Sequence, residues 1–241
     1  MVAVEDFGLA SREEFDEIAL AYDALWTARL YDDEILAALP LKVDFILDLG
    51  CGVGALTRKL SARAKNVLGV DISRRAVELA QEHTTMQNIK YKRIAIEDLP
   101  AALDPLSCDA IVASRALHHC KDLEVTVAGL MDLLRPGGTV VILELASTGR
   151  FAGGRVRRCL ISWLYRLLII IKGVRQGQFR SALCGLHEEH KLFSTRLWKE
   201  HLENEPNFRW KALMPSFRTS GIAVSASSRN VRFKLMVGTK H

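Results

Sequence analysis

The stretch Phe45-Ile-Leu-Asp-Leu-Gly-Cys-Gly-Val-Gly-Ala-Leu-Thr57 constrains this chain more than any other. Phe45 to Leu47 is an apolar run of the kind a buried parallel strand needs. Gly50, Gly52 and Gly54 follow on alternate positions, and Ala55 to Leu60 then offers good helix formers with an apolar side. The order predicts strand, tight glycine turn and helix. Glycines at such a turn let the backbone bend sharply and let a ligand approach without a Cβ in the way. The helix start offers unpaired N–H groups to something polar or anionic. The stretch therefore reads as a nucleotide-cofactor loop.

A dinucleotide fingerprint is G-x-G-x-x-G. Gly50 and Gly52 fit it and Ala55 takes the sixth position, but the third glycine sits one residue early, and an acid, Asp48, lies two residues before the first glycine. Asp-Leu-Gly-Cys-Gly-Val-Gly resembles the first motif of class I S-adenosylmethionine-dependent methyltransferases. A second strand, Asn66 to Ile72, ends in Asp71, twenty-one residues after Gly50. A carboxylate there can accept hydrogen bonds from both hydroxyls of an adenosine ribose, and the resemblance assigns that role to Asp71. Ser73 is placed to cap the next helix. A third strand, Lys90 to Ile96, leads into Glu97-Asp-Leu-Pro100, a fourth is Asp109 to Ser114, and Leu133-Leu-Arg-Pro-Gly-Gly138 turns into a fifth, Thr139 to Glu144. The third motif departs from the family: Ala95 stands where an acid facing the adenine amino group is expected. Backbone recognition at Ile96 needs no side chain, and Glu97 or Asp98 could replace the missing acid.

The resemblance runs over residues 15 to 144. It implies an α/β fold, a doubly wound, Rossmann-like, seven-stranded and mostly parallel sheet with its last strand antiparallel and a helical lid insertion. The segments expected are N-terminal helices over 1–40, a cofactor core over 41–145, a basic helical lid over 146–205 and C-terminal strands over 206–241. The implied cofactor is S-adenosylmethionine, bound by Tyr22, Asp48, Gly50, Cys51, Gly52, Gly54, Asp71, Ile72, Ile96, Glu97 and Ser114. Residues 11 to 39 read as helix, with Ser11 and Glu14 as a capping box and Pro40 as the break. Phe15 to Asp23 is similar to the N-terminal helix of the quinone-biosynthesis group, where the tyrosine end closes over the cofactor; Tyr22 is equally consistent with a packed amphipathic position.

Methyl transfer from a sulfonium needs a base only if the acceptor must lose a proton first. His118 and His119 follow the fourth strand and are the catalytic candidates, with a lining role for His119 the stronger reading. Glu144 is a further candidate, and His187 and His190 cannot be ranked. No metal is expected. The methyl acceptor reads as a small, hydrophobic molecule methylated at oxygen, nitrogen or carbon. RNA methyl transfer is an alternative, although Ser114-Arg-Ala-Leu stands where base-amino methyltransferases carry Asn/Asp-Pro-Pro-aromatic. A cofactor-binding scaffold without catalysis is another.

Charge divides the chain. Up to Glu144 there are 15 Lys and Arg against 23 Asp and Glu; after it there are 18 against 5. The basic back suggests an anionic partner or a solvated surface. Residues 155 to 176 form a basic, very apolar helix candidate, too short in its apolar run to span a bilayer. Trp163, Leu164, Leu167 and Ile171 share one face, with Arg158, Ser162 and Tyr165 opposite. Such a helix suits a pocket lid, a peripheral membrane contact or plain core packing. Phe208 to Leu213 and Val231 to Val237 alternate like strands. The acidic first residues without an apolar core, and five scattered cysteines without a C-x-x-C pair, predict a cytoplasmic protein with reduced thiols.

Overall fold

The computed structural model describes residues 30–145, 155–194, 210–229 and 233–241. Its elements alternate as the glycine-loop stretch requires. Helix α1 (Asp32–Ala38) precedes β1 (Val43–Leu49), α2 (Ala55–Leu60), β2 (Ala64–Asp71), α3 (Arg74–Glu82), β3 (Ile89–Arg93), α4 (Leu99–Ala102), β4 (Cys108–Ser114), α5 (Leu123–Leu133) and β5 (Leu134–Leu145). Helices α6 (Arg155–Arg175), α7 (Phe179–Ser194) and α8 (Trp210–Thr219) then lead to β6 (Ile222–Arg229) and β7 (Phe233–Lys240). The seven strands form one sheet in the order β3-β2-β1-β4-β5-β7-β6. The first five are mutually parallel, and β7 runs antiparallel to both of its neighbours.

The sheet is covered on both faces, so its central strands are apolar on both sides. Leu47 and Leu49 of β1, Ile111 and Ala113 of β4, and Val140 and Ile142 of β5 share one core layer with Leu130 and Met131 of α5 and Leu213 and Phe217 of α8. Ile46, Ala110, Val112, Val141 and Leu143 point the other way, onto Ile35 of α1, Tyr165 and Ile169 of α6 and Ala182 of α7. The two-residue period of a strand sets this division.

Three sequence readings are corrected by the structure. Of the strand expected over Phe208 to Leu213, the described residues 210–213 belong to α8 instead. Trp210, Leu213, Met214 and Phe217 repeat at i, i+3, i+4 and i+7, and the helical period buries Leu213 and Phe217 completely. The sixth strand is instead Ile222–Arg229, an Ala- and Ser-rich edge paired only with β7, whose weak strand propensity hides it from sequence. The third correction concerns residues 11 to 39: the described helix begins at Asp32 with Tyr31 at its N-cap, and the earlier part lies outside the described residues. No helix among the described residues is long and apolar enough to cross a membrane.

Candidate functional site

Strand β1 pairs with β2 on one side and β4 on the other. The chain moves outward through β2 and β3, then returns to β4 across β1. The strand order therefore reverses between β1 and β4, and open α/β sheets bind ligands outside the carboxyl ends of the strands at such a switch point. The predicted cofactor segments that the structure describes follow the carboxyl ends of β1, β2, β3 and β4.

The glycine loop is braced by β2, by α2 and by the turn after β4. Gly50, Gly52 and Gly54 all take left-handed backbone, with φ of 63°, 53° and 76°. A Cβ at Gly50 would stand 2.5 Å from the Cβ of Ala116, so the loop lies directly on the turn after β4. The Cys51 N–H donates to the Val70 carbonyl at 2.9 Å, and Cys51 is buried, consistent with selection for small size. Below the loop, Asp48 is buried and accepts a 2.6 Å hydrogen bond from the Thr57 hydroxyl of α2. That bond satisfies a carboxylate inside the protein and fixes where the helix leaves the loop.

Asp71 connects three segments. Its Oδ2 accepts from the Gly52 N–H and its Oδ1 from the Ser73 N–H, each at 2.9 Å. The Ser73 hydroxyl in turn accepts from the Ala76 N–H at 3.0 Å as the N-cap of α3. The carboxylate plane is thereby set by the backbone on both sides. Ile72 is half-buried, and its carbonyl accepts from the Arg93 guanidinium at 3.0 Å.

At the end of β3, Ala95 is extended and Ile96–Asp98 forms one 3₁₀ turn, closed by the Asp98 N–H donating to the Ala95 carbonyl at 3.1 Å. Of the two acids offered as substitutes at Ala95, Glu97 accepts from the Lys121 N–H at 3.4 Å, while Asp98 is exposed. Glu97 thus leans toward the loop after β4.

Strand β4 ends in Ser114 and a strained turn. Arg115 has φ of 58° without being glycine, and its N–H donates to the Leu143 carbonyl at 2.7 Å. Such a backbone costs about 1–2 kcal/mol and persists where its surroundings dictate it. The 3₁₀ turn Leu117–His119 follows. Glu144, fully buried on β5, accepts from the Leu117 N–H at Oε1 and meets His118 Nδ1 at Oε2, both at 2.8 Å. A carboxylate that only accepts in this bond leaves the proton on Nδ1 and the lone pair on Nε2. Glu144 therefore holds a turn in place and has no exposed oxygen to serve as a base. The His119 ring lies beside His118, with centroids 3.9 Å apart, and is only partly buried. His187 and His190 are exposed on α7. Tyr22 lies outside the described residues.

Three contributors escape sequence reading. Thr57 is the Asp48 partner, but a threonine in an apolar helix carries no signal of its own. Tyr91 fills the space beside Gly54 and Gly69, its hydroxyl 3.0 Å from that of Thr84, and burial raises the phenol's pKa. Arg115 shows its role only through its backbone. Burial also pushes the Cys108 thiol up to about 11, and Cys120 higher still with Glu97 and Glu144 nearby.

Known proteins resemble this chain in sequence and in fold. The methyltransferase domain family model matches residues 47–142. An uncharacterised methyltransferase of Mycobacterium tuberculosis is 34% identical over 126 residues, covering 52% of this chain and 63% of the relative. A ubiquinone biosynthesis O-methyltransferase of Chromobacterium violaceum is 34% identical over 119 residues, covering 44% of this chain and 51% of that one. The chain thus spans between half and two thirds of the length of these curated relatives. Among solved structures, the methyltransferase in complex with the Haloferax volcanii Trm112 activator shares the fold, with a TM-score of 0.65 at 19% identity over 95% of this chain and 97% of that one.

Proposed function

We propose that this chain, whose residues 47–142 match the methyltransferase domain family, is a class I S-adenosylmethionine-dependent methyltransferase that transfers a methyl group to a small, lipophilic acceptor. The carrying observation is the Asp71 carboxylate, oriented by the Gly52 and Ser73 N–H groups beside a left-handed glycine loop.

The residues fit the cofactor. Asp71 is the acceptor for the ribose hydroxyls, in charge-assisted hydrogen bonds. Gly50 and Gly52 let the backbone come close where a side chain would intrude. Asp48 acts on the loop through Thr57 and is a positioning residue. The Ile96 N–H and the Ile72 side chain belong to the adenosine side, with Glu97 at its edge. Ser114 and the Leu117–His119 turn belong to the acceptor side. When bound, S-adenosylmethionine supplies a methyl already activated by a positive sulfur, so the protein's work is to align the acceptor and exclude water. His119, partly exposed beside a His118 that Glu144 holds fixed, lines the acceptor. Its proposed role, where the acceptor must lose a proton, is to take it. The lipophilic character of the acceptor draws on the ubiquinone-pathway activity of the Chromobacterium relative and on the apolar outer face of α6.

Two measurements test the proposal. Calorimetry should register S-adenosylmethionine and S-adenosylhomocysteine but not NAD; binding of NAD with no response to the other two overturns the cofactor. Labelled methyl transfer should then reach a lipid extract in preference to total RNA. Label in RNA alone overturns the acceptor class, and tight cofactor binding without transfer to any extract overturns catalysis in favour of a binding role.

A further inference from the structure

We propose that the outer face of the α6–α7 hairpin rests on an anionic phospholipid surface. The inference goes beyond methyl transfer and does not depend on it.

Among the described residues, the contacts of the hairpin lie on its inner side. Tyr165, Ile169 and Gly173 face the sheet and α7, and a Cβ on Gly173 would come within 2.4 Å of Ala182, so the two helices cross in close contact. The Tyr165 hydroxyl donates to Glu189 at 3.2 Å inside the hairpin. Lys172 reaches back to Glu34 and to the Leu30 carbonyl, tying α6 to α1. A helix fixed in this way needs no second apolar stripe for folding. It has one nonetheless. At 100° per residue, Trp163, Leu167, Ile171 and Val174 fall on one arc of α6, and Trp163 and Val174 remain 60% and 59% exposed. With Leu168 of α6 and Phe179 and Leu183 of α7, seven of the twelve large apolar residues exposed among the described residues lie on this hairpin. Such a concentration marks a surface that something covers.

Charge identifies the occupant. Helix α6 holds six Lys and Arg and no Asp or Glu. Arg166 flanks the stripe on one side and Arg175 on the other, both exposed, and Arg180 follows at the start of α7. An apolar stripe carrying a tryptophan between arginines matches the boundary between acyl chains and anionic headgroups. The helix is not apolar enough to enter further.

Flotation of the full chain with vesicles tests this. Retention on phosphatidylcholine vesicles containing phosphatidylglycerol should exceed that on phosphatidylcholine alone by at least about tenfold at low salt, and fall as salt shortens the screening length. Each cation near an anionic leaflet contributes about fivefold in partition. The triple variant Arg166→Gln/Arg175→Gln/Arg180→Gln should therefore lose on the order of 100-fold. Trp163→Ser/Ile171→Ser should lose at least about tenfold by removing apolar area. These positions are exposed, so cofactor binding should persist and serves as the folding control. Should a variant fail that control, the salt series on the unaltered chain decides. No retention on anionic vesicles at low salt overturns the proposal, as does equal retention of the folded variants. Concentration-dependent dimerisation that Trp163→Ser/Ile171→Ser abolishes, without vesicle binding, assigns the face to a second copy instead.

Discussion

The Asp71 carboxylate accepts the Gly52 N–H at 2.9 Å, which makes the acid of β2 and the glycine loop after β1 a single unit. An acid at a strand end would otherwise swing with its rotamer. Here the glycine loop holds it, so a ligand entering beside the loop meets a carboxylate already ordered.

Asp71→Ala should therefore weaken S-adenosylhomocysteine binding by about 2–4 kcal/mol, from two charge-assisted hydrogen bonds with losses on assembly. Asp98→Ala, at an exposed position of the 3₁₀ turn, should change affinity by less than about 0.5 kcal/mol. Calorimetry on both variants checks this, and equal losses would show that the ribose contact lies elsewhere.

Glu144 holds the turn after β4 through Leu117 and His118. Glu144→Ala leaves two buried partners without their acceptor, at about 1–3 kcal/mol each when not relieved. Urea unfolding should show a loss of about 2–4 kcal/mol. Glu144→Gln, which keeps one acceptor oxygen, should fall between the alanine variant and the native chain. A Glu144→Ala protein of native stability would remove the structural role assigned to this residue.

Two left-handed glycines separate backbone strain from packing. Gly137, with φ of 78°, has nothing within 4 Å of where a methyl would stand, whereas Gly50, with φ of 63°, faces Ala116 at 2.5 Å. Gly137→Ala should cost about 1–2 kcal/mol for conformation alone. Gly50→Ala adds overpacking of about 1–3 kcal/mol and should also lower cofactor affinity. Thermal unfolding of the pair tests the order, and equal midpoints would contradict it.

Cys108 gives a pH dependence. Its folded thiol titrates near 11 rather than 9, because burial penalises the thiolate. The folded state then keeps a proton that the unfolded chain has released. The stability this contributes is complete below about pH 9 and is lost as pH rises toward 11. At about 1.4 kcal/mol per pH interval, the loss is about 2–3 kcal/mol. Tyrosine and lysine titrate in the same range, so the measurement is a comparison: between about pH 8 and about pH 10.5, Cys108→Ala should lose less stability than the native chain. Equal losses would remove Cys108 as the cause.

The sequence by itself determined the parallel core, because local chemistry there agrees with the global fold. Apolar runs such as Phe45–Leu47, the alternate glycines after them, Asp71 and the Ser73 cap each follow from a short stretch of chain. The sequence also marked α6, whose composition is unlike the rest. Only the tertiary structure decided what depends on contacts distant in sequence. Thr57 became the partner of Asp48 when α2 folded back over β1. Glu144, a candidate base on paper, became a buried support because β5 lies beside the turn after β4. Residues 210–219 became a helix because the layer of Leu130 and Met131 receives Leu213 and Phe217, and six alternating residues cannot distinguish a period of 2 from one of 3.6. Which face of α6 remained outside was likewise set by packing. Tyr165 and Ile169 were drawn into the core layer, and the stripe of Trp163 was left facing outward.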